Sequence, residues 1–146
     1  MIEGKNSMDK VKLAYAIALV AHKGQVDKVG VDYINHPLTV SNNCQSEDEK
    51  IVALLHDVLE DTKVTKEDLL LFFDPCIVEA VCLLTHKPED SYMDYLAQIK
   101  ANPIAKAVKI QDLKHNMDLS RFETPSAKDY ERVEKKYKPA LEFLLS

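Results

Sequence analysis

The segment Ile51-Val-Ala-Leu-Leu-His56-Asp57-Val-Leu-Glu60-Asp61-Thr62 carries the clearest pattern in this chain. At about 100° per residue, its large apolar side chains fall on one face of a helix. The opposite arc is polar and holds His56, Asp57, Glu60 and Asp61. A solvated acidic face would show the same pattern. However, a histidine beside an aspartate is unusual for solubility alone, and neither lysine nor arginine follows Lys50 in the segment. If this face is functional, other parts of the chain must supply its partners.

Length and composition indicate one globular domain spanning residues 1–146. The 46% hydrophobic content is enough for an ordinary core, and three glycines argue against a turn-rich β fold. Apolar runs are shorter than the roughly 18 residues of a membrane helix, and the first residues lack the features of a signal peptide. The net charge of −5 disfavours binding to a nucleic-acid polymer. We therefore expect a cytoplasmic protein that has no membrane partner.

Three cysteines, Cys44, Cys76 and Cys82, form an odd set whose spacing does not match a metal site. We expect reduced, mostly buried thiols.

Helical periodicity and capping residues predict an all-α fold, a bundle of about seven or eight helices. The predicted helices span residues 8–22 with Ser7 or Asp9 as cap, 37–43, 46–62, 65–73, 75–84, 91–101, 104–119 and 127–145. An ordered loop is expected at residues 23–35. Residues 8–125 would form the core. The last helix, which Pro139 should kink or split, would be a C-terminal extension over residues 126–146 with a solvated charged face.

A second polar stripe lies on the helix predicted at residues 104–119. Lys109, Asp112 and Asn116 are spaced i, i+3 and i+7, so they share one face beside apolar residues. A lysine–aspartate pair on the surface, with an incidental asparagine, is the alternative.

The polar arc at residues 56–61 and the stripe at residues 109–116 supply metal-binding groups, and a histidine that precedes Pro37 adds another. These groups are His36, His56, Asp57 and Asp112. Two imidazoles and two carboxylates suit a first-row divalent ion with sites left open for water and substrate. Structural zinc would normally use cysteines, which are badly placed here.

Three blocks of sequence resemble one enzyme family. They are Ala21-His-Lys-Gly-Gln25 with Tyr33-Ile-Asn-His-Pro37, then Leu55-His-Asp-Val-Leu-Glu-Asp-Thr62, and finally Val108-Lys-Ile-Gln-Asp-Leu-Lys-His-Asn-Met117. Their order and content resemble the HD superfamily of metal-dependent phosphohydrolases. The resemblance is closer to the hydrolase domain of the RelA/SpoT proteins and to the small alarmone hydrolases, and it covers roughly residues 8 to 125.

The resemblance implies a role for each matching residue. His36, His56, Asp57 and Asp112 would hold the metal, most simply Mn²⁺. Glu60 and Asp61 would act on water, and Lys28 and Asn116 would contact a nucleotide. Helix geometry agrees independently for Glu60, which is i+4 from His56 and i+3 from Asp57. The implied reaction removes the 3′-pyrophosphate of guanosine 3′,5′-bis(diphosphate).

Two departures from the family pattern leave the substrate open. Asp27-Lys28 stands where many alarmone hydrolases carry Arg-Lys, and Asp118-Leu119 stands where long members carry Arg-Thr. A phosphatase of another nucleotide, or a regulatory domain that binds a metal or nucleotide without catalysis, are the alternatives. The sequence also leaves the oligomeric state open.

Several other side chains near these blocks could either take part in function or have a purely structural role. We expect His22 and His115 to be hydrogen-bonded locally at helix ends, and His86 to lie in a solvated loop. Tyr33 could stack on a base or pack the loop. Arg121 is a candidate for a phosphate contact, with a simple surface position as the alternative.

Overall fold

The computed structural model describes residues 9–146, and its regular secondary structure is helical. The helices are α1 (Lys10–Ala21), α2 (Asn35–Asn42), α3 (Glu47–Leu55), α4 (Val58–Asp61), α5 (Lys66–Leu70), α6 (Pro75–Leu84), α7 (Tyr92–Lys100), α8 (Pro103–Met117), α9 (Ala127–Arg132) and α10 (Lys138–Leu145). A 3₁₀ turn spans Leu119–Arg121, and a π-helical turn spans Val133–Tyr137. If α3–α4 and α9–α10 each count as one interrupted helix, residues 9–146 contain eight helices, which confirms the all-α prediction.

Capping residues set most helix starts where the sequence predicts them. Thr65 and Asp68 form a reciprocal capping box at α5, and Ser91 caps α7. Asn102 accepts the Ala105 N–H at 3.0 Å at the start of α8. These side chains satisfy N–H groups that have no acceptor within the first helical turn. Asp9 caps α1, whereas Ser7 and Met8 lie outside the described residues.

Helix α3 lies at the centre of the bundle. It contacts α1, α2, α6 and α8, and its residues from Ile51 to Leu55 are all buried. The small side chain of Ala53, which the helical arc grouped with the polar residues, is completely buried. The C-terminal half of α3 is therefore enclosed on all sides, so the site begins where this helix ends.

The predicted continuous helix over residues 46–62 is wrong at His56 and Asp57. Helix α3 ends at Leu55, and α4 begins at Val58. The imidazole Nδ1 of His56 hydrogen-bonds the Ala53 carbonyl at 2.5 Å, so it occupies the acceptor that the Asp57 N–H would use in a regular helix. The chain turns at this point, and the polar residues leave the path of a single helix.

The last helix is interrupted as Pro139 predicts. Proline lacks an N–H, and its ring crowds the carbonyl four residues earlier, so it disfavours a regular α-helix just before it. The backbone widens into the π-helical turn over Val133–Tyr137 and resumes as α10. Helix α10 then buries Ala140 and Leu144 and contacts α7 and α8.

The loop at residues 23–34 is ordered, as expected. Its two sides pair weakly through the Asp27 N–H to the Val31 carbonyl at 2.8 Å and the Tyr33 N–H to the Gln25 carbonyl at 2.9 Å. Gly30 closes the turn with a φ of 83°, a conformation that side chains disfavour. Apart from an isolated bridge in this loop, residues 9–146 contain no β structure.

The three thiols are free, but they are buried to different degrees. Cys44 is buried, Cys82 is half-buried and Cys76 is exposed, so the prediction of mostly buried thiols is wrong for Cys76. It sits in the first turn of α6, on the side away from the core. Among the described helices, none is long and apolar enough to cross a membrane.

Candidate metal centre

Three buried side chains from distant parts of the chain meet at the end of α3. They are His36 on α2, His56 after α3, and Asp112 on α8, and their candidate ligand atoms all lie within 4.8 Å of one another. Asp112 Oδ1 is 2.8 Å from His36 Nε2 and 3.3 Å from His56 Nε2. The packing of α2, α3 and α8 against one another holds this cluster together.

Asp57 connects the buried cluster to a more exposed group of acids. Its Oδ2 is 3.1 Å from His56 Nε2 and accepts a hydrogen bond from the Tyr33 hydroxyl. Its carboxylate also groups with those of Glu60 and Asp61, again within 4.8 Å. The fourth predicted ligand thus lies between the histidines and the acid pair.

The donor set fits a divalent cation. With Nδ1 of His56 donating to Ala53, the neutral ring presents a lone pair at Nε2, and this atom is buried with no hydrogen-bond partner among the described residues. Oxygens of Asp57 and Asp112 lie beside it, so three acceptor atoms converge on one point. A metal ion satisfies all three, and imidazole with carboxylate suits first-row divalent ions.

When no metal is bound, a proton on His56 supplies the positive charge between Asp57 and Asp112. Burial lowers the pKa of His56, but the neighbouring charges of Asp57 and Asp112 outweigh burial and raise it well above the usual value. Burial raises the pKa of Asp57, yet the charge on His56 overcomes this effect and brings the pKa to about 2. The site therefore favours an imidazolium between two carboxylates when no metal is bound.

Lys109 neutralises the buried carboxylate of Asp112. Its Nζ is 3.0 Å from Asp112 Oδ2 and 5.4 Å from the centre of the Tyr95 ring. Burial lowers the pKa of Lys109 and the charge of Asp112 raises it more, so the ammonium stays charged. The alternative of a surface ion pair is therefore wrong, because Lys109 belongs to the site.

Two ring side chains, those of His115 and Tyr33, contact the candidate ligands. His115 Nδ1 is 2.7 Å from His36 Nδ1, and the two rings stack with centroids 4.9 Å apart. The expectation of a purely local hydrogen bond for His115 is wrong, although its position at i+3 from Asp112 could have signalled this contact. Tyr33 packs against the His36 ring while its hydroxyl contacts Asp57, so the packing interpretation fits this residue.

Glu60 and Asp61 project from α4 at the edge of the cluster. Glu60 Oε1 accepts the backbone N–H of His86 at 3.0 Å, which fixes its carboxylate. Burial, together with the charges of Asp57 and Glu60, raises the pKa of Asp61. His86 is exposed in a loop, as expected, and it also lines the same cavity as these acids.

All eight predicted site residues line one cavity of about 490 Å³, a volume typical of small-ligand sites. Asn116 donates to Asp112 Oδ1 at 3.3 Å, and Lys28 Nζ lies 3.9 Å from Asp129 Oδ1. Arg132, Lys136 and Tyr137 also line this cavity. Lys136 is exposed, as predicted for the charged face of the last helix, whereas half-buried Arg132 departs from the prediction of a merely solvated face.

Comparisons with known proteins agree with this architecture. The SpoT protein of Escherichia coli K12, a bifunctional (p)ppGpp synthase/hydrolase, is 35% identical over 83 residues, which are 53% of this chain and 12% of that protein. The guanosine-3′,5′-bis(diphosphate) 3′-pyrophosphohydrolase of Borreliella burgdorferi is 35% identical over 120 residues, or 71% and 18% of the two chains. This chain is a RelA/SpoT relative.

Solved structures support the fold of this RelA/SpoT relative. A metazoan orthologue of SpoT that hydrolyses ppGpp superposes with a TM-score of 0.76 at 23% identity, covering 95% of this chain and 86% of that one. This chain, a RelA/SpoT relative, therefore has the HD-type hydrolase fold. It spans only 12% and 18% of the length of the two curated relatives named above. No protein-family model matches the chain.

Proposed function

We propose that this chain is a metal-dependent phosphohydrolase that removes the 3′-pyrophosphate from guanosine 3′,5′-bis(diphosphate), with Mn²⁺ as its metal. The observation that carries the proposal is the meeting of His36, His56 and Asp112 beside Asp57 and the acid pair in one cavity. The relatives support the choice of substrate, since one is named as the 3′-pyrophosphohydrolase of this nucleotide.

In this proposal His36, His56, Asp57 and Asp112 hold the metal. When bound, a divalent cation activates water and polarises a phosphoryl oxygen. The Tyr33 hydroxyl and the His115 ring keep Asp57 and His36 in place, and the Lys109 ammonium balances the charge of Asp112. These supporting contacts fix the orientation of the ligands before a metal arrives.

Glu60 and Asp61 are proposed to handle the proton of the attacking water. Hydrolysis adds one water across the bond between the 3′-oxygen and its phosphorus, which yields guanosine 5′-diphosphate and pyrophosphate. Asp61 is suited to accept the proton because its pKa is raised, which makes its carboxylate a stronger base. Glu60, anchored by the His86 N–H, is suited to orient the water. Lys28 and Asn116, which line the cavity, would contact the nucleotide.

The test is a panel of nucleotides incubated with Mn²⁺ and purified protein, with phosphate and pyrophosphate measured separately. We expect pyrophosphate from guanosine 3′,5′-bis(diphosphate) with wild type and none above background with Asp57→Ala. Asp74→Ala is a matched control, because Asp74 is exposed and its side chain makes no capping hydrogen bond at α6.

Other outcomes would contradict the proposal in distinct ways. Equal release by wild type and Asp57→Ala would exclude the metal centre as the catalyst. Phosphate released only from a different nucleotide would identify a phosphatase of another substrate. Binding of the nucleotide without turnover would favour a regulatory domain.

A further inference from the structure

Both arginines of the chain line the candidate site, and each faces an aspartate. Arg121 Nη1 lies 3.6 Å from Asp27 Oδ2, and Arg132 Nη1 lies 3.4 Å from Asp129 Oδ1. The chain has 19 lysines and arginines, of which two are arginines, and both of these line the same cavity. Guanidinium groups present several donors in a plane, which suits them to phosphate oxygens.

Arg121 faces a carboxylate that is itself fixed by the loop. Asp27 Oδ1 accepts the N–H groups of Val29 at 2.9 Å and Val31 at 3.0 Å, so its carboxylate is fixed to the loop. The other oxygen of Asp27 faces Arg121, while the guanidinium carbon lies 5.6 Å from the centre of the Phe122 ring. One edge of the guanidinium is thus engaged, and its other donors remain available to a ligand.

Arg121 is not one of the predicted metal ligands. It lies in the 3₁₀ turn after α8, and its ion pair among the described residues is with Asp27 rather than with a predicted metal ligand. The substrate of the proposed function carries two diphosphates. If one reaches the metal centre, the other needs a cation elsewhere in the cavity.

We propose that Arg121 binds the diphosphate that is not cleaved, the one at the 5′ position of the nucleoside. Asp27 keeps the guanidinium at the cavity wall, and the pair selects nucleotides with a 5′-phosphate. The identity of the substrate rests on the proposed function, but the cation subsite has its own test.

That test measures the binding of guanosine 5′-diphosphate in metal-free buffer by titration calorimetry. This nucleotide has only the 5′-diphosphate, so the reading does not depend on turnover. We expect Arg121→Gln to raise Kd about tenfold or more, since it removes hydrogen bonds from a charged donor. Arg121→Lys should restore part of the affinity. Lys135→Gln, which removes an exposed cation paired with Glu131, should leave Kd unchanged.

Kinetics separate this inference from the proposed function. Arg121→Gln should raise KM for guanosine 3′,5′-bis(diphosphate) about tenfold with a smaller change in kcat. It should not alter the hydrolysis of guanosine 3′-diphosphate, which has a free 5′-hydroxyl. Equal Kd for wild type and Arg121→Gln, or no binding of guanosine 5′-diphosphate by wild type, would overturn the subsite. Absence of turnover in wild type would overturn only the proposed function.

Discussion

At the scale of single residues, His56 links the fold to the chemistry. Its Nδ1 donates to the Ala53 carbonyl where α3 ends, and in the neutral ring the same hydrogen bond leaves Nε2 as the metal-binding atom beside Asp57 and Asp112. One side chain therefore both turns the chain and presents a metal-binding atom. Metal-binding histidines commonly donate their second N–H to a carbonyl in this way.

The raised pKa of His56 predicts that metal binding depends on pH. In the metal-free protein the imidazole stays protonated well above its usual pKa, because Asp57 and Asp112 outweigh the effect of burial. A metal needs the neutral ring, so binding must expel a proton, and affinity must fall as pH falls below this pKa. Mn²⁺ titrations at pH 7 in buffers of different ionisation enthalpy should show release of about one proton. A heat independent of the buffer would contradict this prediction.

Replacing His115 tests whether its contact with His36 helps this candidate ligand to bind a metal. His115→Phe keeps a stacked ring beside His36 but removes the nitrogen 2.7 Å from His36 Nδ1. We expect Mn²⁺ affinity to fall about 10- to 100-fold, the effect typical of losing such a contact. Calorimetry measures this change, and Lys114→Gln, an exposed neighbour on α8, is the control. Unchanged affinity in His115→Phe would show that the contact does not support the metal.

At the scale of elements, α8 contributes most to the site. Lys109, Asp112, His115 and Asn116 lie on one stripe of this helix, and they act respectively as charge partner, candidate ligand, ring support and amide donor. Helical spacing was enough to predict that three of them share a face. It could not predict that His115 would contact a ring 79 positions earlier, because that contact depends on how α2 packs on α8.

The start of α8 provides a prediction about stability. Asn102→Ala removes the side-chain acceptor of the Ala105 N–H, so we expect the free energy of unfolding to fall by about 1 kcal/mol. Asn102→Asp, which keeps an acceptor, should stay near wild type. Urea denaturation followed by circular dichroism measures both variants. Equal stability of Asn102→Ala and wild type would mean that this cap contributes nothing.

Interruptions of helices mark the limit of what local sequence predicts. Capping residues and apolar spacing locate the start of α5 and both ends of α6 and α7 closely, since those signals act within one turn, whereas α5 ends at Leu70 rather than at Phe73. The break after α3 depends instead on an imidazole capturing a backbone carbonyl, which periodicity does not describe. Similarly, the sequence shows Asp27 only as a departure from the family pattern, and the fold is needed to place it against Arg121.

At the scale of the whole molecule, the metal centre joins segments that are distant in sequence. His36, the pair His56–Asp57, and Asp112 come from three parts of the chain, so a bound ion would connect α2, α3, α4 and α8. A ligand that binds only the folded state stabilises it by mass action.

Thermal unfolding should therefore respond to Mn²⁺. At a concentration about 100 times Kd, we expect a rise in Tm of about 5–10 °C, which follows from roughly 2.7 kcal/mol of linkage energy. Asp112→Asn should lose most of this shift, whereas Asp74→Asn, which alters an exposed residue, should keep it. A shift of the same size in Asp112→Asn would place the ion elsewhere.

If one cavity divides metal binding from proton handling, turnover by metal-saturated Asp61→Asn shows it most directly, because Asp61 is the proposed proton acceptor. This variant keeps the four predicted ligands, so its Mn²⁺ affinity should stay within about threefold of wild type, while the release of pyrophosphate from guanosine 3′,5′-bis(diphosphate) should fall about 100-fold or more. Glu142→Gln, an exposed substitution on α10, is the matched control and should retain full turnover. Wild-type turnover in metal-saturated Asp61→Asn would show that Asp61 does not accept the proton.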